Sequence, residues 1–145
     1  MSVAATALEE ATDLLRQSST RIAVVGASND PSKYGNIIVN TLKGYGYQVL
    51  PVNPKEAVIA GLPAYRSLAD LPQPADIVDV VTPPAVTRGV LKDAAAAGVR
   101  LVWLQDGSFD AGVIADAEAA PFKTVHGACI MVVARALVRE RKNRT

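Results

Sequence analysis

The chain has 145 residues, of which half are apolar and only 5% aromatic, so it is the size of one domain and can bury a core of Val, Ile, Leu and Ala. Its formal net charge of +1 offers neither a basic field for nucleic acid nor an acidic one for a cationic partner, so any anion site has to come from local geometry. A single cysteine, Cys129, excludes an internal disulfide framework and a Cys-rich metal site.

No stretch reaches the ~18 uncharged apolar residues of a membrane helix. The acidic start, with Glu9, Glu10 and Asp13, lacks the pattern of a secretory signal. The expectation is a cytoplasmic protein with no metal, no nucleic-acid partner and no membrane partner.

Residues 4–17 read as an amphipathic helix, with Leu8, Ala11 and Leu15 on one stripe. A short β-branched run follows at residues 21–25 and stops at Gly26. Continuous apolar runs of this kind mark strands covered on both faces. They recur at 48–52, 77–81 and 101–104, and more weakly at 122–125, with a lesser edge candidate around Ala64 and Tyr65.

Helical periods lie between them. Ile37, Ile38, Thr41, Leu42 and Tyr45 repeat correctly around Gly44 and Gly46, and Val86, Val90, Leu91 and Ala94 do so before Gly98. A shorter helix carries Ile114, Ala117 and Glu118. The last stripe is Ile130, Val133, Ala134, Leu137 and Val138, followed by Arg139, Arg141, Lys142 and Arg144. Such alternation predicts a Rossmann-like α/β fold: a doubly wound parallel sheet in three αβα layers, forming one domain. Residues 1–20 form its packed N-terminal helix, 21–138 the domain proper, and 139–145 a solvated basic tail.

Open parallel sheets bind ligands beyond the carboxyl ends of their strands. At the first exit, Gly26, Ala27 and Ser28 lead through Ser32, Lys33 and Tyr34 to Gly35 and a helix start. Free N–H groups and the helix dipole favour a phosphate there, with Ser28 and Ser32 offering hydroxyls and Lys33 a cation. The spacing is not G-x-G-x-x-G, so the usual dinucleotide fingerprint is absent. At the second exit, Asn53, Pro54 and Lys55 stand where an NAD site places an acid for the ribose. A cation there disfavours NAD and favours a phosphorylated ribose, which NADP and coenzyme A (CoA) both carry. The third exit, Val81, Thr82, Pro83 and Pro84, offers a stiff apolar edge suited to a flat ring. At the fourth, Gln105 and Asp106 can orient polar groups, while Trp103 reads as core.

Taken together, Val24 to Ser28, Pro51 to Lys55, Leu101 to Gln105 and the late Cys129-Ile130 pair resemble the small YccU-like CoA-binding proteins. They also resemble the CoA-binding domain that begins the succinyl-CoA synthetase alpha subunit. The likeness covers roughly residues 20–138. It implies CoA phosphates near Gly26, Ala27, Ser28 and Lys33, the 3′-phosphorylated ribose near Asn53 and Lys55, and adenine near Val81, Thr82 and Pro83, with Tyr34, Pro54 and Gln105 also in the cofactor site. The chain departs from many small relatives in having Thr82-Pro83 where they carry basic residues, and Ala128 where they carry arginine.

No complete catalytic set follows. His126 and Cys129 stand three residues apart, but no carboxylate is placed to orient the imidazole, and the two read as structural. Asp79 is one acid inside a strand run, not an acid/base pair. The ligase likeness implies a phosphohistidine domain and a nucleotide-grasp partner that the sequence does not contain. Three readings stay open: a non-catalytic CoA or acyl-CoA binder acting as carrier, sensor or regulator; an accessory subunit of an acyl-CoA ligase with a partner chain; and an NADP-binding protein. A monomer or a homodimer fits each. Cys129, beginning the last helix in the family, is a redox candidate toward the CoA thiol.

Overall fold

The structure, a computed structural model, describes residues 6–143. In chain order it runs α1 (Ala7–Leu15), β1 (Arg21–Val25), α2 (Tyr34–Gly44), β2 (Gln48–Val52), β3 (Val58–Ile59), β4 (Leu62–Pro63), β5 (Ile77–Val80), α3 (Pro84–Ala96), β6 (Leu101–Leu104), α4 (Ala111–Glu118), β7 (Lys123–His126) and α5 (Ile130–Asn143). Five strands form a parallel sheet in the order β2-β1-β5-β6-β7. This is the expected doubly wound α/β fold.

Burial follows from the alternation of side chains along each strand. One face of the sheet presents Ile22, Val24, Ile77, Leu101, Trp103 and Val125 to a cluster that includes Ala11, Leu15, Ile38, Leu42, Ile130 and Leu137. The other presents Ala23, Val25, Val78, Val80, Val102 and Leu104 to Val90, Leu91, Ala94, Val113 and Ala117. Helices α1, α2 and α5 therefore cover the first face, and α3 and α4 the second. Trp103 is wholly buried, as expected of a core residue.

Helix α1 starts with a capping box between Thr6 and Glu9 and is tied down by ion pairs of Glu10 with Lys123 and of Arg16 with Glu140. Leu8 does not join its buried stripe: it is exposed, because it lies in the first turn, while Ala11 and Leu15 are buried. The predicted start of this helix at residues 4 and 5, and the end of the tail at 144–145, lie outside the described residues. Residues 139–143 form the basic C-terminal turns of α5, and Arg141 there is not simply solvated but stacks over the Tyr47 ring at 5.6 Å.

The weak fifth run starts one residue later than predicted, at Lys123. Tyr65 makes a single parallel bridge to Val52 rather than an edge strand. The β3–β4 hairpin escaped the periodic reading because two-residue strands carry no period; its turn, at Ala60 and Gly61, has both φ values positive.

Candidate functional site

Strand order reverses between β1 and β5: the chain leaves β1 toward β2 on one side and returns to place β5 on the other. A crevice opens above their carboxyl ends. Its cleft, about 340 Å³, is lined by Gly26, Ala27, Ser28, Lys33, Asn53, Pro54, Arg66, Thr82, Val86, Val90 and others. Larger hollows of about 410 and 440 Å³ exist. The first is walled mostly by Leu, Ala, Pro and Val. The second lies between α3 and α4, away from the strand exits. Neither joins a cation to a helix start at a strand exit.

Two glycines make the first turn possible. Gly26 sits at φ +98°, and a Cβ on it would stand 2.7 Å from Val81 Cγ2. A Cβ on Gly35 would lie 2.0 Å from the Gly26 carbonyl oxygen. The turn is thus pressed against the first turn of α2 more closely than any side chain allows. No side chain caps α2; its N-cap, Lys33, lines the cleft, the Asn36 N–H turns back to the Lys33 carbonyl, and the N–H groups before it are those that a helix start leaves without intrahelical partners.

Neighbouring side chains fix this turn. The Asn53 amide donates to the Ala27 carbonyl at 2.8 Å and accepts from the Lys55 N–H at 2.8 Å, so it braces two loops. Asn36 donates to the Ser28 carbonyl, and Asn29 to the Val58 carbonyl. The Ser28 oxygen accepts from the Asp30 N–H, which leaves its hydroxyl proton available to a ligand. Ser32 differs from expectation: its hydroxyl donates to Asp30 at 2.7 Å and is not free for a phosphate. Bonds from the Ser32 hydroxyl and N–H hold Asp30 below its ordinary carboxylate value.

Seven of the predicted residues (Gly26, Ala27, Ser28, Lys33, Asn53, Pro54 and Thr82) meet on the cleft wall. Lys55, Val81 and Pro83 adjoin it without lining it. Arg66, Ser67, Leu68, Val90 and Asp93 line the cleft outside the segments expected to form it. Arg66 follows the Val52–Tyr65 bridge, where hydrogen bonds from Asn53 N–H to Tyr65 and from Tyr65 N–H to Pro51 pin the segment beside β2. A cation directly after an edge segment was a signal available in the sequence. Val86, which begins the apolar stripe of α3 and ends the 81–86 segment expected at the crevice, is 53% exposed and lines the cleft.

Tyr34, Gln105 and Cys129 gather elsewhere, at the starts of α2 and α5. The Tyr34 hydroxyl lies 3.2 Å from Cys129 Sγ, and Gln105 Nε2 donates to the same sulfur at 3.6 Å. Gln105, almost fully buried, also accepts from the Ile130 N–H at 3.2 Å, and the Trp103 indole donates to the Ala128 carbonyl. Burial raises the Cys129 thiol pKa, but the Tyr34 hydroxyl, the Val132 N–H, Gln105 and the Met131 N–H together bring it below its usual value. Tyr34 is pushed up to about 12, first by its bond to Cys129 and then by burial. His126 plays no part: it is exposed at the end of β7, its ring 5.3 Å from that of Phe109.

A parallel sheet with a glycine turn, an uncapped helix start and cations at its switch point defines a nucleotide-type binding domain. The chain belongs to the CoA-binding domain family, whose profile matches residues 20–135. It is 37% identical over 89 residues to the alpha subunit of ADP-forming acetate–CoA ligase II of Pyrococcus furiosus, covering 61% of this chain and 20% of that subunit. It is 33% identical over 91 residues to the uncharacterized protein YneT of Bacillus subtilis, covering 63% of this chain and 67% of YneT. Among solved structures, a conserved hypothetical protein of Pyrococcus furiosus superposes with a TM-score of 0.75 at 43% identity, over 78% of this chain and 97% of that one. The chain therefore spans a fifth of the ligase subunit but nearly the whole of the Pyrococcus furiosus hypothetical protein.

Proposed function

We propose that this protein binds coenzyme A, free or acylated, in the cleft between β1, β2 and β5, and acts as a carrier, sensor or regulatory module rather than as a complete enzyme. The diphosphate lies on the turn from Gly26 to Ser28 and the start of α2, with Lys33 as its cation. Adenine rests against Val81 to Pro83 and the exposed Val86. The 3′-phosphate takes Lys55 from the rim and Arg66 from the wall. The observation that carries this reading is the Gly26–Gly35 contact. It supports a phosphate seat because it brings a helix start to the strand exit with no side chain between them.

Titration calorimetry with CoA, dephospho-CoA, NADP and NAD tests it. CoA is expected to bind most tightly, with dephospho-CoA next. Equal or tighter binding of NADP would overturn it.

A second reading, an accessory subunit of an acyl-CoA ligase, is favoured by the likeness to the acetate–CoA ligase alpha subunit. Affinity capture that recovers a stoichiometric nucleotide-grasp partner would support it.

A further inference from the structure

Asp79 stands in the middle of β5, between Val24 of β1 and Trp103 of β6. It is wholly buried, and neither carboxyl oxygen has a hydrogen-bond partner. The alternation of β5 sends it to the same face as Ile77, toward α2 and α5. There Trp103 binds the Ala128 carbonyl and Gln105 holds both Cys129 and the first N–H of α5. A bare buried carboxyl costs stability unless it stays neutral or meets a partner. Burial, and secondarily the Cys129 charge, keeps its pKa well above the ordinary carboxylate value; Asp79 in turn acts on Tyr34. The acid shares this face of the sheet with the Cys129 cluster and is coupled by charge to both Cys129 and Tyr34.

We propose that Cys129, with Tyr34, Gln105 and Asp79, forms an acyl-acceptor site for the thioester end of an acyl-CoA. This deepens the CoA reading and rests on it for delivery of the thioester: Lys33 lines the cleft, and its neighbour Tyr34 touches Cys129. The Cys129 thiolate, stabilised by Tyr34, Gln105 and the start of α5, attacks the thioester carbonyl carbon. A neutral carboxylic acid in an apolar site is a hydrogen-bond donor at neutral pH, and with the Tyr34 hydroxyl it steadies the developing oxyanion. The bond from carbon to the CoA sulfur breaks, CoA leaves as a thiolate and takes a proton from water, and Cys129 keeps the acyl group as a thioester. One thioester replaces another, so no oxidant or reductant enters.

The test incubates the full chain with acetyl-CoA and reads intact mass. An acetyl-sized, hydroxylamine-labile adduct is expected on the native protein and not on Cys129→Ser. Tyr34→Phe is expected to slow its formation about ten-fold, the order of one lost hydrogen bond to a charged group. Calorimetry with CoA on each variant separates binding from transfer. If CoA binds and no adduct forms, the proposal fails. It fails too if the unfolded chain acylates as fast as the native one, since Cys129 is then only an accessible thiol. If CoA does not bind, the cleft reading falls alone, and a small acetyl thioester of N-acetylcysteamine tests the cluster directly. Faster acylation of native than of unfolded protein then upholds the acceptor site, and equal rates remove it.

Discussion

Beneath α3 and α4 the sheet presents Ala23, Val25, Val78, Val80, Val102 and Leu104, an unbroken aliphatic surface. On the opposite face the same strands present Val24, Asp79 and Trp103, and a buried carboxyl and an indole N–H interrupt the apolar layer. The polar groups of the cleft come from turns and loops beyond the strand ends: backbone N–H groups, Ser28, Lys33 and Arg66. Those of the Cys129 cluster come from Asp79 inside β5, Gln105 directly after β6 and the first residues of α2 and α5. A group held by strand register on both sides cannot move aside. The cleft is therefore adjustable in its side chains but fixed in its backbone, whereas the cluster is anchored by the immobile Asp79 and Gln105, both buried, and closed by the more exposed Tyr34. Variants that touch one and spare the other test this division.

Gly35→Ala should have the largest effect. The added Cβ would meet the Gly26 carbonyl at 2.0 Å and Ala27 Cα at 3.2 Å, both backbone, so the turn has to move off α2. Overpacking of this kind costs about 1–3 kcal/mol of stability. We expect a lower melting temperature and loss of CoA binding by at least about a hundred-fold, since a displaced seat loses several N–H contacts at once. Unchanged affinity in Gly35→Ala would remove the turn as the phosphate seat.

Next come the two cations. Arg66→Ala and Lys55→Ala should each weaken CoA by about ten-fold or more, the range of a charge-assisted contact, while dephospho-CoA is affected less. Arg66 lines the cleft and Lys55 only adjoins it, so Arg66 should carry the larger share. Calorimetry with both ligands reads the difference. Equal losses for CoA and dephospho-CoA would move either residue away from the 3′-phosphate. Melting temperatures should barely change, because both side chains are exposed.

The sheet was legible because its strands are buried on both faces and so read as unbroken apolar runs, from Ile22 to Val25 and from Leu101 to Leu104. Gly26 and Gly35 were legible as turn residues, but not the contact between them, which depends on the packing of a helix against a carbonyl. Arg66 was hidden because its place depends on one bridge between Tyr65 and Val52. Val86 was legible as a crevice residue from its place just after the third strand exit, but not as an exposed one, because helical period puts it on the apolar stripe of α3. Ser32 and Asn53 were recognised as polar residues near the site, yet residue type alone does not say that the neighbouring loop already engages them. Residues whose role is set by a strand's own pattern were readable; those set by a contact between segments were not.

Asp79→Asn isolates the buried acid. A carboxyl whose folded pKa lies above its unfolded one binds a proton more tightly in the native state. Its contribution to stability is complete below the unfolded value, near 3.8, and is lost as pH rises through the raised native value. The native protein should therefore lose stability relative to Asp79→Asn as pH climbs from about 4 toward neutrality. The gap between the two melting curves is the measurement. A constant gap across that range would mean that Asp79 is ionised in the folded state and has a partner.

The smallest expected signal is a covalent one, and it probes the cluster without altering the cleft. Cys129 Sγ is partly exposed, faces the Tyr34 hydroxyl and is held below its usual pKa by bonds that oppose its burial. A thiolate attacks a disulfide sulfur and expels the other thiol. With oxidised CoA as the disulfide, Cys129 should end joined to one CoA while a second CoA leaves as its thiolate, which takes a proton from water. The long arm of the cofactor makes this contact possible only if the nucleotide lies with its diphosphate over the α2 start, one residue from Tyr34. Intact mass after incubation with oxidised CoA should show a fraction of the chain with one CoA added, reversed by a thiol reductant and missing in Cys129→Ser. Arg66→Ala, which weakens the nucleotide at the cleft and touches neither Sγ nor its donors, should lower the rate at which the adduct forms. An adduct that forms equally fast in Arg66→Ala would show Cys129 reacting from solution, and the cleft and the cluster would then be two independent features of one sheet.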